Sequence, residues 1–189
     1  MSQAYYHTPE SVAEYIQLAM DVNGQELIDQ LKPRLSLGAH LLELGSGPGK
    51  DWEILSQDYT VTGSDLSLEF LKHLRVVHPK GQFLELDAAT LATDQTFDGI
   101  YSNKVLHHLT DEDLAKSAVR QAAILNHGGI ICHSFWKGDD SETFKGMFVN
   151  YHNEAALRGF FGEPFEILTL APYTEFEEGD SLLLMARKK

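Results

Sequence analysis

The chain has 189 residues, and its 15 Lys and Arg against 28 Asp and Glu leave a formal charge of −13, which opposes broad electrostatic attachment to nucleic acid or anionic lipid. With 43% hydrophobic residues it carries the apolar material for one packed core at a length typical of one domain. The single cysteine, Cys132, excludes an internal disulfide and a cysteine-rich metal site; no apolar run approaches the ~20 residues that span a bilayer, and the polar start MSQAYYHTPE does not resemble a secretory signal. A cytoplasmic protein is the expectation.

Thr8 and Pro9 predict a helix start, followed by Val12, Tyr15, Ile16, Ala19 and Met20 at helical spacing. Asn23-Gly24 interrupts it, and a second helix runs from Gln25 to about Leu35, bent or ended by Pro33. The pattern then changes to alternation. His40 to Leu44 is a short apolar strand that stops at a glycine cluster, and Asp51 to Gln57 resumes helical spacing. Tyr59 to Gly63 is a second strand, and Ser67 caps a helix that closes near Val77 before Pro79. Gln82 to Leu86, Phe97 to Ser102 and Gly129 to Phe135 are the third, fourth and fifth strands. Between the last two, Thr110 caps a helix with Asp111, Glu112 and Asp113 in its first turn, and His127-Gly128-Gly129 ends it. Asp139-Asp140-Ser141 is expected to be a loop that caps a further helix. Strands and helices in this order predict a parallel sheet with helices on both faces. Phe165 to Leu170 and Ser181 to Ala186, with no helix between them, predict a hairpin at the sheet's edge.

The segment with chemistry is Leu41-Leu42-Glu43-Leu44-Gly45-Ser46-Gly47-Pro48-Gly49-Lys50. Glycines at 45, 47 and 49 let backbone approach a ligand at the carboxyl end of the first strand, where open parallel sheets bind; a plain glycine turn would look the same. A dinucleotide fingerprint would place its third glycine at 50, which is lysine. A phosphate loop would follow that lysine with Ser or Thr, and Asp51 stands there. Glu43 would also repel a pyrophosphate. A nucleoside ligand without phosphates fits better, because Asp65 ends the second strand 20 residues after Gly45, where a carboxylate can accept ribose hydroxyls.

Glu43-Leu44-Gly45-Ser46-Gly47-Pro48-Gly49, Gly63-Ser64-Asp65-Leu66-Ser67, Leu86-Asp87-Ala88, and Phe97-Asp98 through His107-His108-Leu109, in this order, resemble the class I S-adenosylmethionine-dependent methyltransferases. The resemblance implies an α/β, Rossmann-like, doubly wound sheet of seven strands, mostly parallel, with an antiparallel strand from the terminal hairpin. It implies S-adenosyl-L-methionine as cofactor and S-adenosyl-L-homocysteine as product. Gly45, Gly47 and Gly49 would form the turn under the methionine part, with Glu43 orienting that turn and the amino group. Asp65 would hold the ribose hydroxyls and Leu66 would lie against adenine, while Asp87 and Ala88 would meet the adenine edge. Asn103 would border the methionine moiety. The expected organisation is one methyltransferase domain, with a helical cover over 1–38, a cofactor-binding core over 39–136, a lid over 137–163 and the hairpin over 164–189.

Methyl transfer from a sulfonium is an in-line displacement that needs positioning and exclusion of water, and a base only where the acceptor must lose a proton. His107 and His108 are candidates for that base. Successive residues on a helix point ~100° apart, so at most one of the two faces the pocket, and His108 is the choice. Tyr6, His133, Trp136 and Tyr151 are candidates for the substrate pocket, with Tyr5 beside Tyr6. For His133, which alternates with Cys132, register decides, and a buried, satisfied imidazole is the competing reading. The chain lacks the Asn/Asp-Pro-Pro-aromatic motif of amino-methylating relatives and a Pro-Cys nucleophile. Its nine histidines have no zinc-site spacing, and a magnesium site at Asp139-Asp140 is a minor alternative to a plain loop. The expected function is transfer to an oxygen, nitrogen or sulfur of a small-molecule acceptor by a monomer or homodimer, with no nucleic acid or membrane partner. The alternatives are a protein or RNA methyltransferase acting with a partner, and a non-catalytic cofactor-binding module.

Overall fold

The computed structural model describes residues 4–189, with side chains from Tyr6 onward; the expected pocket role of Tyr5 lies outside what is described. Helix α1 spans Pro9–Leu18, and the Thr8 hydroxyl caps it by accepting from Ser11 N at 3.2 Å. Helix α2, Gln25–Leu31, ends four residues before the predicted limit. Pro33 has no N–H to offer the carbonyl of Asp29, and the chain tightens into a turn in which Arg34 N donates to Leu31 O at 2.9 Å.

Strands β1 (His40–Leu44), β2 (Thr60–Asp65), β3 (Gln82–Glu85) and β4 (Phe97–Asn103) alternate with α3 (Lys50–Leu55) and α4 (Leu68–Val77), and α5 (Asp111–Ile124) follows β4. The caps expected at Ser67 and Thr110 are made, to Phe70 N and Asp113 N, each at 3.2 Å. A further boundary differs from expectation: α5 stops at Ile124, and β5 (Leu125–Trp136) starts at once. Leu125 pairs with Phe97 and Ile130 with Gly99, so residues 126–129 form an irregularity within the strand, with Gly128 taking the positive φ of 73°.

Residues 137–163 fold as a two-stranded hairpin, β6 (Ser141–Phe144) and β7 (Met147–Asn150), followed by α6 (Glu154–Phe161). Ser141 therefore opens a strand and caps no helix. The hairpin turn is Lys145-Gly146, both at positive φ, which suits the twist of an antiparallel pair. Asp139 accepts from Asn153 Nδ2, and no metal-ligating group of three occurs among the described residues.

Strands β8 (Phe165–Tyr173) and β9 (Ser181–Lys188) complete the sheet, whose order is β3-β2-β1-β4-β5-β9-β8. Among the described residues the main sheet has seven strands, of which β9 alone runs antiparallel to its neighbours β5 and β8. Strand order reverses between β1 and β4, and the carboxyl end of that pair is where an open α/β sheet leaves a crevice.

Alternation sorts the core into two layers. Leu42, Leu44, Ile131, Phe135, Leu182 and Leu184 pack with Leu114 and Ala118 of α5 and Leu157 and Phe161 of α6. Leu41, Tyr101, Ile130, Cys132, Leu183 and Met185 pack on the other face with Ile28 and Leu31 of α2 and Leu55 of α3. The same parity settles His133: Cys132 faces α2, so His133 faces α5.

Candidate active site

At the carboxyl end of β1 the chain turns through Gly45, Gly47 and Gly49, at φ of 66°, 47° and 88°, a region that costs other residues strain. Gly45 has a second constraint, since a Cβ there would lie 2.5 Å from a Val105 methyl. The turn thus rests directly on the segment that follows β4. Ser46 N donates to Ser64 O at 2.8 Å, tying the turn to β2. Gly47 N donates to Asp65 Oδ2 at 3.0 Å, and Ser67 N donates to Asp65 Oδ1 at 2.8 Å. Gly49 serves packing, because a Cβ on it would meet Leu74 of α4 at 2.7 Å.

Above this turn lies a cavity of about 400 Å3, within the size range of small-molecule sites. Glu43, Gly45, Gly47, Asp65 and Asn103 line one part of it, together with Ser46, Pro48, Lys50 and Asp51. Glu43 is 2% exposed and accepts from the Ser46 hydroxyl. Burial, and then the charges of Asp51 and Asp65, push its carboxyl up to about 8, against the pull of the Ser46 bond. Burial also raises the Asp65 carboxyl, while the amides of Ser67 and Gly47 hold it down. The carboxyl groups of Glu43, Asp51 and Asp65, gathered in this part of the cavity, favour a cationic ligand. A nucleoside sulfonium with an amino group is compatible with this lining in size and charge.

Most of the remaining wall comes from five places in the sequence. Tyr6, Tyr15, Leu18 and Val22 contribute from the amino-terminal segment, and Lys104, Val105 and His108 from the stretch after β4. Trp136 stands at the end of β5, Phe144 and Met147 come from the β6–β7 hairpin, and Glu175 and Phe176 from the β8–β9 connection. Tyr6 packs against Tyr15, Phe70 and His108, with ring centroids 5.4, 5.9 and 6.0 Å away. Trp136 stacks on Phe176 at 5.9 Å, and the Lys104 amine lies 3.5 Å from the centre of the indole. That amine also donates to Phe135 O and the Ser181 hydroxyl, so it clamps the β8–β9 connection to the end of β4. Burial lowers it to about 8, opposed by the charges of Glu175 and Asp180.

His108 faces the cavity and His107 does not. His107 is buried, and its Nδ1 has no hydrogen-bond partner among the described residues. His108 Nδ1 lies 2.7 Å from Phe148 O in β7. A carbonyl can only accept, so Nδ1 carries the proton and Nε2 carries the lone pair. Burial lowers the pKa of His108, which keeps the ring neutral at pH 7.

Several expected residues stand elsewhere. His133 is in the core, with Nδ1 2.8 Å from Ser102 Oγ and Nε2 2.7 Å from Gln121 Oε1 of α5, and it does not reach the cavity. Tyr151 points along the hairpin and donates to Glu142 at 2.6 Å. Leu66, Asp87 and Ala88 sit at the same edge of the sheet but outside the cavity wall. Leu66 is 39% exposed, Asp87 Oδ1 accepts from Ala89 N at 2.8 Å, and Ala88 O accepts from Ser117 Oγ of α5 at 2.6 Å. Asp51, Lys104, Glu175 and Phe176 line the cavity without having been singled out as ligand-binding. Asp51 and Lys104 adjoin the glycine turn and Asn103, and that adjacency was the available signal; Glu175 and Phe176 come from a connection that had none.

Comparison with known proteins agrees with this geometry. A family model described as a methyltransferase domain matches residues 41–129, a span that holds the glycine turn, Asp65 and His108. An O-methyltransferase of Pyrenophora dematioidea is 27% identical over 157 residues, which is 78% of this chain and 57% of that protein. The chain therefore spans a little over half the length of this curated relative. Among solved structures, the 1,6-didemethyltoxoflavin-N1-methyltransferase of Burkholderia thailandensis, crystallised with 1,6-didemethyltoxoflavin and S-adenosylhomocysteine, superposes with a TM-score of 0.79 at 21% identity, covering 95% of this chain and 84% of that one. The N-methyltransferase NodS of Bradyrhizobium japonicum, in complex with S-adenosylhomocysteine, gives 0.72 at 18% identity over 95% and 97% of the two chains. Residues 41–129 thus match a methyltransferase domain, and the seven-stranded sheet order is that of the Rossmann-like S-adenosylmethionine-dependent methyltransferase fold.

Proposed function

We propose that this chain transfers the methyl group of S-adenosylmethionine to an oxygen or nitrogen of a small-molecule acceptor. The observation that supports it most is the continuity of one cavity, with Glu43, Gly45, Gly47, Asp65 and Asn103 in one part and His108, Trp136, Phe144 and Phe176 in another. The bound cofactor supplies an electrophilic methyl group. Asp65 holds the ribose hydroxyls, Glu43 pairs with the amino group, and the turn at Gly45 and Gly47 lets the backbone come close. Tyr6, Trp136, Phe144 and Phe176 exclude water, and Trp136 with Phe176 gives the acceptor a flat apolar wall. Lys104 fixes that wall in place. His108 Nε2 takes the acceptor's proton as the nucleophile forms its new bond, and the Phe148 carbonyl, which holds Nδ1–H, stabilises the resulting imidazolium. The β6–β7 hairpin and the β8–β9 connection are short, which suits a small acceptor better than a docked macromolecule.

The test is release of S-adenosylhomocysteine from S-adenosylmethionine across a panel of phenols and heteroaromatic N–H compounds. For an acceptor that is turned over, His108→Asn lowers kcat by roughly 100-fold and leaves the affinity for S-adenosylhomocysteine within about twofold. In the unsubstituted chain kcat/KM falls on the acid side, with a midpoint below the ordinary histidine value because burial lowers His108. An unchanged kcat in His108→Asn would remove the base from the mechanism, and an absence of S-adenosylhomocysteine across the panel would count against transfer itself.

A further inference from the structure

Asp51 occupies the second position of α3, and its carboxylate gathers three parts of the fold. Oδ1 accepts from Gly24 N at 2.6 Å, while Oδ2 accepts from Tyr101 Oη at 2.7 Å and from Asn103 Nδ2 at 3.1 Å. The network continues from Asn103, whose Oδ1 accepts from Ser134 Oγ at 2.6 Å, and Ser134 Oγ accepts from Lys104 N at 2.9 Å. One carboxylate thus joins the α1–α2 connection to α3, β4 and β5. Gly24 sits so close to this hub that a Cβ would lie 2.0 Å from Tyr101 Oη and 2.6 Å from Asp51 Oδ2. The residues just before it, Leu18, Ala19, Val22 and Asn23, form part of the cavity wall, and Asp51 and Asn103 line the cavity themselves.

We infer that Asp51 is a positioning residue for the cofactor, which seats the 18–24 segment as a wall of the methionine end and adds a negative charge that a cationic ligand balances. The inference rests on the family's cofactor being the ligand of this cavity. Two separable effects follow from it. The first is mechanical, because the wall is held through Gly24 N and is displaced by any side chain at that position. The second is electrostatic. Burial first, and then the charges of Asp51 from α3 and Asp65 from β2, hold the Glu43 carboxyl up, and Tyr101 of β4 and Cys132 of β5 are raised by burial with the Asp51 charge adding to it. The remaining charged groups on the cavity are Lys50, Lys104, Lys145, Glu175 and, when protonated, His108. An ammonium group beside Glu43 favours its carboxylate form, so cofactor binding releases a proton at neutral pH, and affinity rises with pH up to about 8 and then levels. Without the Asp51 charge Glu43 ionises at lower pH and the level region begins earlier.

The experiment is calorimetric binding of S-adenosylhomocysteine and S-adenosylmethionine between pH 6 and 9, in two buffers of different ionisation enthalpy, to the full chain and to Asp51→Asn and Gly24→Ala. Asp51→Asn is expected to weaken both ligands about tenfold, with the greater loss for the sulfonium, to shift the levelling of affinity to lower pH, and to release fewer protons at pH 7. Gly24→Ala keeps every charge; it is expected to weaken binding about tenfold with the pH midpoint unmoved. If Asp51→Asn does not fold, Tyr101→Phe removes one donor to the carboxylate while keeping every charge; weakened binding in this variant supports the hub, and unchanged binding counts against it. Affinity in Asp51→Asn within twofold of the original overturns the inference, as does a pH midpoint that stays where it was. Unchanged binding in Gly24→Ala overturns the mechanical half. If the unsubstituted chain binds neither ligand, the reading of the cavity as the cofactor site fails first and the inference falls with it.

Discussion

Asp65→Ala is expected to reduce S-adenosylhomocysteine affinity by roughly 100-fold or more. In the proposed function this carboxylate accepts both ribose hydroxyls, and hydrogen bonds to an ionised acceptor contribute about 1.5–3 kcal/mol each. Its loss has a second effect, since Gly47 N and Ser67 N, at 3.0 and 2.8 Å, lose their acceptor and the glycine turn loses its tie to the end of β2. Asp65→Asn separates the two contributions. The amide can still accept from one backbone N–H, so the turn is better preserved, but it offers a single acceptor oxygen to a diol. The order of affinity is therefore original, Asn, Ala, measured by calorimetry at pH 9, above the value of about 8 at which Glu43 loses its proton. Equal affinity in the alanine variant would refute the placement of the ribose.

The second large effect concerns stability as well as binding. Glu43 has a folded-state pKa of about 8, well above the ~4.3 of an exposed glutamate. Between these values the folded chain keeps a proton that the unfolded chain releases. Stability from this group is full below the unfolded value and is lost as pH rises through about 8. Glu43→Gln removes that loss. The variant is expected to unfold at higher temperature than the original, by roughly 5 °C at pH 8.5 for a gain on the order of 2 kcal/mol, and by little at pH 5. It keeps a polar group for the Ser46 hydroxyl but cannot carry charge, so cofactor affinity falls at least tenfold and its pH dependence between 6 and 8 disappears. Thermal unfolding and calorimetry on the same samples check both halves. A melting temperature that drops equally at both pH values would mean that Glu43 stabilises the turn as an acceptor and that its charge has no part. A binding group that weakens the empty fold is the expected relation of stability to function.

How much of this the sequence carries depends on whether a feature is local. Strand and helix alternation, the caps at Thr8, Ser67 and Thr110, and the β8–β9 hairpin are legible because each depends on neighbouring residues. The glycine turn and Asp65 are legible through spacing. The β6–β7 hairpin is not, since Ser141 to Phe144 are all exposed and show no alternation of burial, although Lys145-Gly146 was a turn signal in view. Register decides His133, and only the pairing of Ile130, Ile131 and Cys132 with β4 fixes which face it takes. Asp51 is the clearest case of the non-local kind. The sequence places it after the glycine turn, where it argues against a phosphate loop, but its partners are 27, 50 and 52 residues away. Lys104 likewise owes its place over Trp136 to a positive φ of 54° that no local pattern announces.

The position of β9 in the sheet bears on how the protein is made. It lies between β5 and β8, supplies Leu182 and Leu184 to one core layer and Leu183 and Met185 to the other, and comes last in chain order among the strands of this sheet. Until it arrives, β5 has an unpaired flank from Ile130 to Trp136 and β8 has no sheet to join. Such a flank is a template for pairing with other chains. The nascent protein thus cannot close its core progressively from the amino terminus, and a chain arrested before Ser181 carries an open sheet edge that invites aggregation.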